Sequence, residues 1–254
     1  MNILFTICGR AGSKGIKNKN LKDFLGYPLA YYTVSAIDLF RKQNSDTHCD
    51  IVLNTDSKDL IKLFQDNLKI KMDFIERDAS LGLDNTPKIA VILNSLEIMK
   101  DRKEINYDMV VDLDITSPLR TAEDINNLIK QKISSEADVV FSVTESRRNP
   151  YFNMVKKTAE GYIRVIESSY NTRQEAPKLY DMNASLYAYS PEFLVSKRGI
   201  FEGKCDVIKM IDTGVLDLDH ENDFELMQVI ASYLFSKYPK FNEIKENIKG
   251  IINK

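Results

Sequence analysis

Imidazole and thiol are scarce in this chain. Its 254 residues include two histidines, His48 and His220, and three cysteines, Cys8, Cys49 and Cys205. A Ser-His-Asp hydrolase would have to rely on His220, and no G-x-S-x-G elbow accompanies it. His48 lies in the polar stretch NSDTHCD, which reads as an exposed loop. The cysteines are odd in number and far apart, without the paired spacing of a zinc site or a disulfide framework, so three reduced thiols in or near the core are expected. Any metal would have to be oxygen-ligated, which favours Mg2+ over Zn2+. No apolar run approaches the ~20 residues that a membrane helix needs. No basic segment followed by an apolar stretch and a small-residue cleavage site opens the chain, so no signal peptide is expected and a cytoplasmic protein is the default. A surplus of one charge is also missing. The net charge is -2 and the positive charge is local to one loop, which removes any general reason to expect nucleic acid.

What is present is ordinary globular composition, 43% hydrophobic and 28% charged, at a length that suits one large domain or a domain with a modest insertion. The first half alternates strand and helix. Ile3–Cys8 is a continuous apolar run, as in a strand buried on both faces. Pro28 suits the first turn of a helix reaching about Phe40. Further strands are predicted at Ile51–Asn54, Met72–Ile75, Met109–Leu113 and Val139–Val143. Ser57 can cap the helix carrying Leu60, Ile61 and Phe64. Thr86 reads as a cap with Pro87 at the first helical position, and Thr121 with Asp124 forms an approximate capping box. This alternation implies right-handed crossovers and an α/β, doubly wound, mostly parallel sheet, with ligands at the carboxyl ends of the strands. Those ends carry the first loop, Asp56, Arg77 with Asp78, and Asp112 with Asp114.

From Glu145 to about residue 182 the rhythm breaks. Turn signals and short alternating strands around Tyr162–Ile166 read as a small β-rich excursion, serving as a substrate lid, a dimer contact or both. The pattern resumes with NASLYAY, a helix near Pro191, DVIKMI, GVLDLD as a strand, a helix from about Asp223 to Tyr238, and a helical tail. A single domain over 1–254, with 145–182 as an inserted excursion, is expected.

The sharpest local signal follows the first strand: GRAGSKGIKNKN, with Gly9, Gly12 and Gly15 spaced by threes. Between Arg10 and Lys22 stand five cations and no acid. The stretch is neither a Walker loop nor a dinucleotide fingerprint. Glycines allow positive φ and close backbone approach, and amides facing a concavity bind phosphate oxygens. Arg10, Lys14 and Lys19 add the charge that a leaving pyrophosphate needs neutralised. Near the other end, VLDLDHENDFEL puts Asp217 and Asp219 on one side of a strand. Two carboxylates that close repel unless a cation lies between them, and a hard divalent metal bridging to phosphate would resolve that cost. A polar strand end leading into an acidic helix N-terminus accounts for them equally well, and Asp223 reads as an acid of that first turn. VVDLDITSPLR repeats the geometry with Asp112 and Asp114. Arg173 has a fork that suits a carboxylate, though a surface or interface role serves it as well.

Together GRAGSKGIKNKN, ERDASLGLDNT, TSPLRTAEDI, TRQEAPKLYDMNASLY and LDLDHENDFELMQ resemble, in order and over nearly the whole chain, the acylneuraminate cytidylyltransferases (CMP-nonulosonic acid synthetases). RRNPYFNMV and YDMNASLY most resemble the branch that activates legionaminic acid. The resemblance implies a Rossmann-like nucleotidyltransferase fold and a reaction in which a 2-keto sugar acid attacks the α-phosphate of CTP, giving the CMP-sugar and pyrophosphate. By matching position it implies nucleotide contacts from Arg10, Gly12, Ser13, Lys14, Lys19, Asn20, Arg77 and Asp114. It likewise implies sugar-acid contacts from Arg173, Gln174, Asn183 and Tyr187, Mg2+ on Asp217 and Asp219, and catalysis through Arg10, Lys14, Lys19, Asp217 and Asp219. It also implies a homodimer whose excursion contributes to the partner's site. The sequence departs from the family pattern at three places: Gly9 where alanine is usual, Asp114-Ile115 for Gln-Pro, and Asn183-Ala184-Ser185 for Asn-Gly-Ala. The rival readings are another sugar nucleotidyltransferase using GTP or a sugar 1-phosphate, a non-catalytic nucleotide-binding module, and a D-x-D glycosyltransferase. The last is disfavoured by a loop cationic enough for a triphosphate.

Overall fold

A computed structural model describes residues 1–12, 15–83, 86–213 and 218–253. Its centre is a seven-stranded sheet. The strands are β1 (Asn2–Cys8), β4 (His48–Thr55), β5 (Asp73–Glu76), β6 (Met109–Leu113), β7 (Val139–Glu145), β10 (Tyr180–Tyr189) and β11 (Cys205–Lys209), in the spatial order β11-β7-β10-β6-β1-β4-β5. β1 pairs in parallel with β4 on one side and β6 on the other. β5 extends the sheet in parallel beyond β4, and β11 pairs in parallel with β7. β10 alone runs antiparallel, between β6 and β7. The expected doubly wound, mostly parallel sheet is therefore present, with one reversed strand where the chain returns from the excursion.

Helices cover both faces, which is why β1 reads as an unbroken apolar run. Ile3, Phe5 and Ile7 pack under α1 (Leu29–Gln43), α2 (Lys58–Asn67), α4 (Ala122–Ser134), α6 (Glu221–Lys237) and α7 (Pro239–Ile251). Leu4 faces the other layer, with Val52, Ile75 and Val110, under α3 (Lys88–Lys103) and α5 (Pro191–Val195). Among the described residues, no helix is long and apolar enough to cross a membrane.

Local signals place the helix starts. Ser57 Oγ accepts the Leu60 N–H at 3.2 Å. Thr121 and Asp124 form the full reciprocal box: Asp124 N donates to Thr121 Oγ1 (3.2 Å) while Asp124 Oδ2 accepts from the Thr121 N–H (2.8 Å). The Thr86–Pro87 expectation is off by one residue. Pro87 occupies the cap position and Lys88 opens α3, because the Thr86 hydroxyl turns back to the Ser80 carbonyl. Pro28 likewise precedes α1, closing a two-residue hairpin of β2 (Asp23–Phe24) with β3 (Tyr27–Pro28). His48 opens β4 with an exposed side chain and is not in a loop. The excursion holds the hairpin β8 (Val155–Thr158) and β9 (Gly161–Arg164). Of the expected strand GVLDLD, residues 214–217 lie outside the described residues, and Leu218 and Asp219 belong to no strand.

The chain winds from β1 outward through β4 to β5 and then crosses back to β6 on the other side of β1. That reversal makes the carboxyl end of β1 a topological switch point, the place where open α/β sheets bind ligands. The glycine loop leaves β1 there.

Candidate active site

A cleft of about 370 Å³ opens at this point. Its lining comes from three strand ends, the start of a helix and a segment distant in sequence: Cys8, Arg10, Gly15, Lys19 and Asn20 at the end of β1 and after it, Arg77 after β5, Lys88 opening α3, Asp114 and Thr116 after β6, and Asp219 ahead of α6. Four of these side chains are cations and two are carboxylates.

The loop is fixed by its neighbours. Asp56, at the end of β4, accepts the Ala11 N–H at 2.7 Å. Gly12 has φ of +71°, in the left-handed region that favours glycine. Asn20 Nδ2 donates to the Arg10 carbonyl at 3.4 Å. Lys19 Nζ donates to the Leu218 carbonyl at 2.5 Å, and Lys22 pairs with Glu221 while lying 4.6 Å from the Phe224 ring centroid. Gly15 explains the third glycine, because a Cβ there would sit 1.7 Å from the Asp219 carbonyl oxygen. The cationic loop and the acidic segment, some two hundred residues apart, are thus in backbone contact. Asp219 is exposed at the cleft, and its N–H and that of His220 both donate to Asp223 Oδ2, at 3.0 and 2.8 Å. Asp223 therefore belongs to the start of α6, as its first-turn position implies. Ser13, Lys14 and Asp217, three of the expected site residues, lie outside the described residues.

Arg77 enters from β5. Its Nε donates to Asn54 Oδ1 (3.0 Å) and its Nη2 to the Asn54 carbonyl (2.7 Å). Asn54 is fully buried and held by Asn94 and Ser95. Burial lowers the guanidinium pKa of Arg77 from its ordinary value, with nearby Asp56 and Asp112 acting in the opposite direction.

Lys88 is a site residue that none of the sequence motifs flags. Its Nζ lies 2.7 Å from Asp112 Oδ2 and 2.8 Å from Asp114 Oδ2. Burial alone would lower the ammonium's pKa, but Asp112 and then Asp114 outweigh it and hold it well above the ordinary lysine value. In the same way burial would raise Asp114, yet Lys88 and the Thr116 donors push it down to about 2. Asp112 is not at the strand end but inside β6 and fully buried. Behind the trio, fully buried Arg120 donates to the Asp114 and Ser117 carbonyls and shapes the TSPLR turn. Burial pushes its pKa down to about 10 against the pull of Asp114 and Asp112. One signal in the sequence does point to Lys88: a carboxylate pair ending an apolar strand needs a cation, and a lysine opens the helix over that strand end.

The expected sugar-acid residues are not in this cleft. Arg173 and Gln174 line a second cavity of about 330 Å³ in the excursion, with Glu145, Ser146, Asn149, Lys178 and Tyr180, and Arg173 Nη2 donates to the Ser146 carbonyl at 2.8 Å. Asn183 is buried in a bulge of β10, where Oδ1 accepts from Ser142 Oγ (2.6 Å) and the Ser185 N–H (3.3 Å). Ala184, at the position of the family's glycine, has φ of +52°. Tyr187 is half-buried, with its ring stacked on Tyr189 and tilted against Phe141. Asn183 and Tyr187 line neither cavity.

A parallel α/β sheet with a cationic glycine loop and a carboxylate around one switch-point cleft defines an α/β protein equipped to handle nucleotide phosphates. The family model described as cytidylyltransferase matches residues 4–233, and the chain belongs to that family. It is 32% identical over 231 residues to the CMP-N,N'-diacetyllegionaminic acid synthase of Campylobacter jejuni, covering 91% of this chain and 95% of that protein. It is 31% identical over 229 residues to post-translational flagellin modification protein B of Campylobacter coli, covering 90% and 94%. Among solved structures, CMP:2-keto-3-deoxy-manno-octonic acid synthetase complexed with CTP superposes with a TM-score of 0.64 over 92% of this chain and 99% of that one, at 14% identity, a likeness of fold.

Proposed function

We propose that the protein couples CTP to a nonulosonic acid of the legionaminic type, releasing pyrophosphate and forming the CMP-sugar. The observation that carries this reading is the single cleft in which Arg10, Lys19, Arg77 and Lys88 face Asp219 at the switch point. The names of the relatives supply the substrate class. The anomeric hydroxyl of the sugar acid attacks the α-phosphorus. A new P–O bond forms, the α–β bridging P–O bond breaks, and the hydroxyl proton passes to solvent as pyrophosphate departs. Phosphoryl transfer asks for positioning and charge neutralisation more than covalent help. In this reading Arg10, Lys14 and Lys19 neutralise the leaving pyrophosphate, Gly12 and Ser13 shape the loop around it, Asn20 and Asp114 belong to the nucleotide side, and Arg77 holds the triphosphate.

Asp219, with Asp217, would hold Mg2+. Among the described residues no group of three or more His, Cys, Asp or Glu could hold a metal, so an ion at Asp219 would draw further ligands from phosphate oxygens. That fits Mg2+, which commonly binds through one or two carboxylates and substrate phosphates. Such an ion would polarise the α-phosphate.

Arg173 and Gln174 are assigned to the sugar acid, with Asn183 and Tyr187 shaping the strand beside them. The separation of the two cavities supports a homodimer in which the excursion of one subunit serves the cleft of the other. The exposed apolar side chains of the hairpin, Val155 and Tyr162 at 60% and 71% exposure, support the same arrangement. Three free cysteines suit the reducing cytoplasm, where we place the protein. A pyrophosphate-release assay tests the activity by crossing CTP and GTP with legionaminic, pseudaminic, sialic and 3-deoxy-octulosonic acids. Release with CTP and a legionaminic-type acid is expected. Release only with GTP, or only when a sugar 1-phosphate is added as a further arm, would transfer the protein to a different nucleotidyltransferase class.

A further inference from the structure

All four oxygens of the Asp112–Asp114 pair are engaged. Asp112 Oδ1 accepts from Thr6 Oγ1 at 2.8 Å, and Asp114 Oδ1 accepts from the Thr116 N–H and hydroxyl at 2.9 and 2.8 Å. The two Oδ2 atoms converge on Lys88 Nζ. Asp112 cannot turn away, being fully buried on a strand paired on both sides. Two carboxylates held this close need a cation between them, and the cation present here belongs to the chain. Lys88 also stands at the first position of α3, the positive end of the helix, where a lysine is disfavoured unless something local compensates. Cys8 lines the same cleft, and burial and then Asp112 hold its thiol well above its ordinary pKa.

We propose that Lys88 is a built-in counter-cation occupying the place a divalent ion would take between Asp112 and Asp114, so that this carboxylate pair holds no metal. Its importance for turnover rests on the nucleotidyltransferase reading, but the arrangement itself does not. The cation that compensates the pair then cannot dissociate with product. An ammonium has three donor hydrogens, one more than the two carboxylate oxygens it meets here. The side chain is about one-third exposed (35%), leaving the cleft-facing side to an anionic group of the ligand.

The test is Mn2+ titration of the nucleotide-free protein, followed by electron paramagnetic resonance. Lys88→Met keeps the aliphatic stem and removes the charge. It is expected to bind one more Mn2+ per chain than the parent, and adding Asp114→Asn should abolish the extra site. Equal numbers in Lys88→Met and the parent would overturn the proposal. Asp114→Asn alone gives an arm that stands even if Lys88→Met does not fold. It should leave the parent's Mn2+ number unchanged, and loss of a site would overturn the proposal by showing that the pair already holds metal. Failure of the Mg2+ assignment at Asp219 shows separately, as an Asp219→Asn variant with unchanged Mn2+ binding, without altering the contrast between Lys88→Met and the parent.

Discussion

The tripeptide Asp-Leu-Asp occurs twice in this chain, at 112–114 and at 217–219, and the fold treats the two copies differently. Both central leucines, Leu113 and Leu218, are fully buried in the same core layer. Around Leu113 the strand continues the sheet, so Asp112 is buried with it and Lys88 compensates the pair. Leu218 and Asp219 belong to no strand, and Asp219 is exposed beside the glycine loop. The 112–114 copy is therefore compensated from within the chain by Lys88, while Asp219 of the other copy is, on our reading, open to a metal. Asp112 and Asp114 take their character from the cation of the chain that reaches them.

Substitutions can break or sharpen that contrast, and the largest effect is expected on the open side. Asp219→Asn should lower turnover ~100-fold or more, the scale of removing one preorganised charge contact. Pyrophosphate release at saturating CTP, sugar acid and Mg2+ measures it, and near-normal turnover would sink the metal assignment. Gly15→Ala forces a Cβ onto the Asp219 carbonyl. It should destabilise the fold by about 1–3 kcal/mol, the range of steric overpacking, and raise the KM for CTP. Urea unfolding with parallel kinetics checks both effects, and an unchanged midpoint would mean the loop and the acidic segment are not in contact.

On the closed side the prediction concerns acid. The Asp114 pKa is depressed from 3.8 to about 2, so its ionised form contributes stability that is present above about pH 4 and lost as pH falls through 2. The parent should lose about 2 kcal/mol more than Asp114→Asn between pH 4 and pH 2, and matching acid limbs would contradict the Lys88 clamp. Arg173→Lys should raise the KM for the sugar acid about tenfold with the KM for CTP unchanged, because an ammonium cannot present a planar fork. A fallen CTP affinity with normal sugar KM would place Arg173 on the other substrate. The smallest effect is expected from Ala184→Gly, in the bulge where the Ser185 carbonyl accepts the Asp114 N–H. Relief of the left-handed φ, less the added freedom of the unfolded chain, should stabilise by about 0.5 kcal/mol. A lowered urea midpoint would argue that Ala184 fits its place.

Much of the fold and part of the site are legible in the order of residues alone. Thr121 and Asp124 announce a helix start because both partners of the box lie within one turn. Ile3–Cys8 announces a strand because burial on both faces leaves no polar alternation. The loop announces a cationic turn at a strand exit because five cations and three glycines follow directly on such a strand. Lys88 is not legible in the same way, since its partners lie 24 and 26 residues ahead and meet it only once β6 and α3 are stacked. The Thr86 cap fails for a related reason, its hydroxyl being claimed by the Ser80 carbonyl across a turn. The family motifs assign Asn183, Tyr187 and Arg173 to the sugar acid but do not record that the first two lie in β10 and the third in a second cavity.

The sequence by itself determined the order of strands and helices, the placement of a cationic glycine-rich loop at a strand exit and the family resemblance, because each rests on contacts within a few residues or on motifs in series. Only the tertiary structure decided which acids remain available at the cleft. That depends on which cation the packed elements deliver to each carboxylate, and no periodicity along the chain records a distance across the sheet.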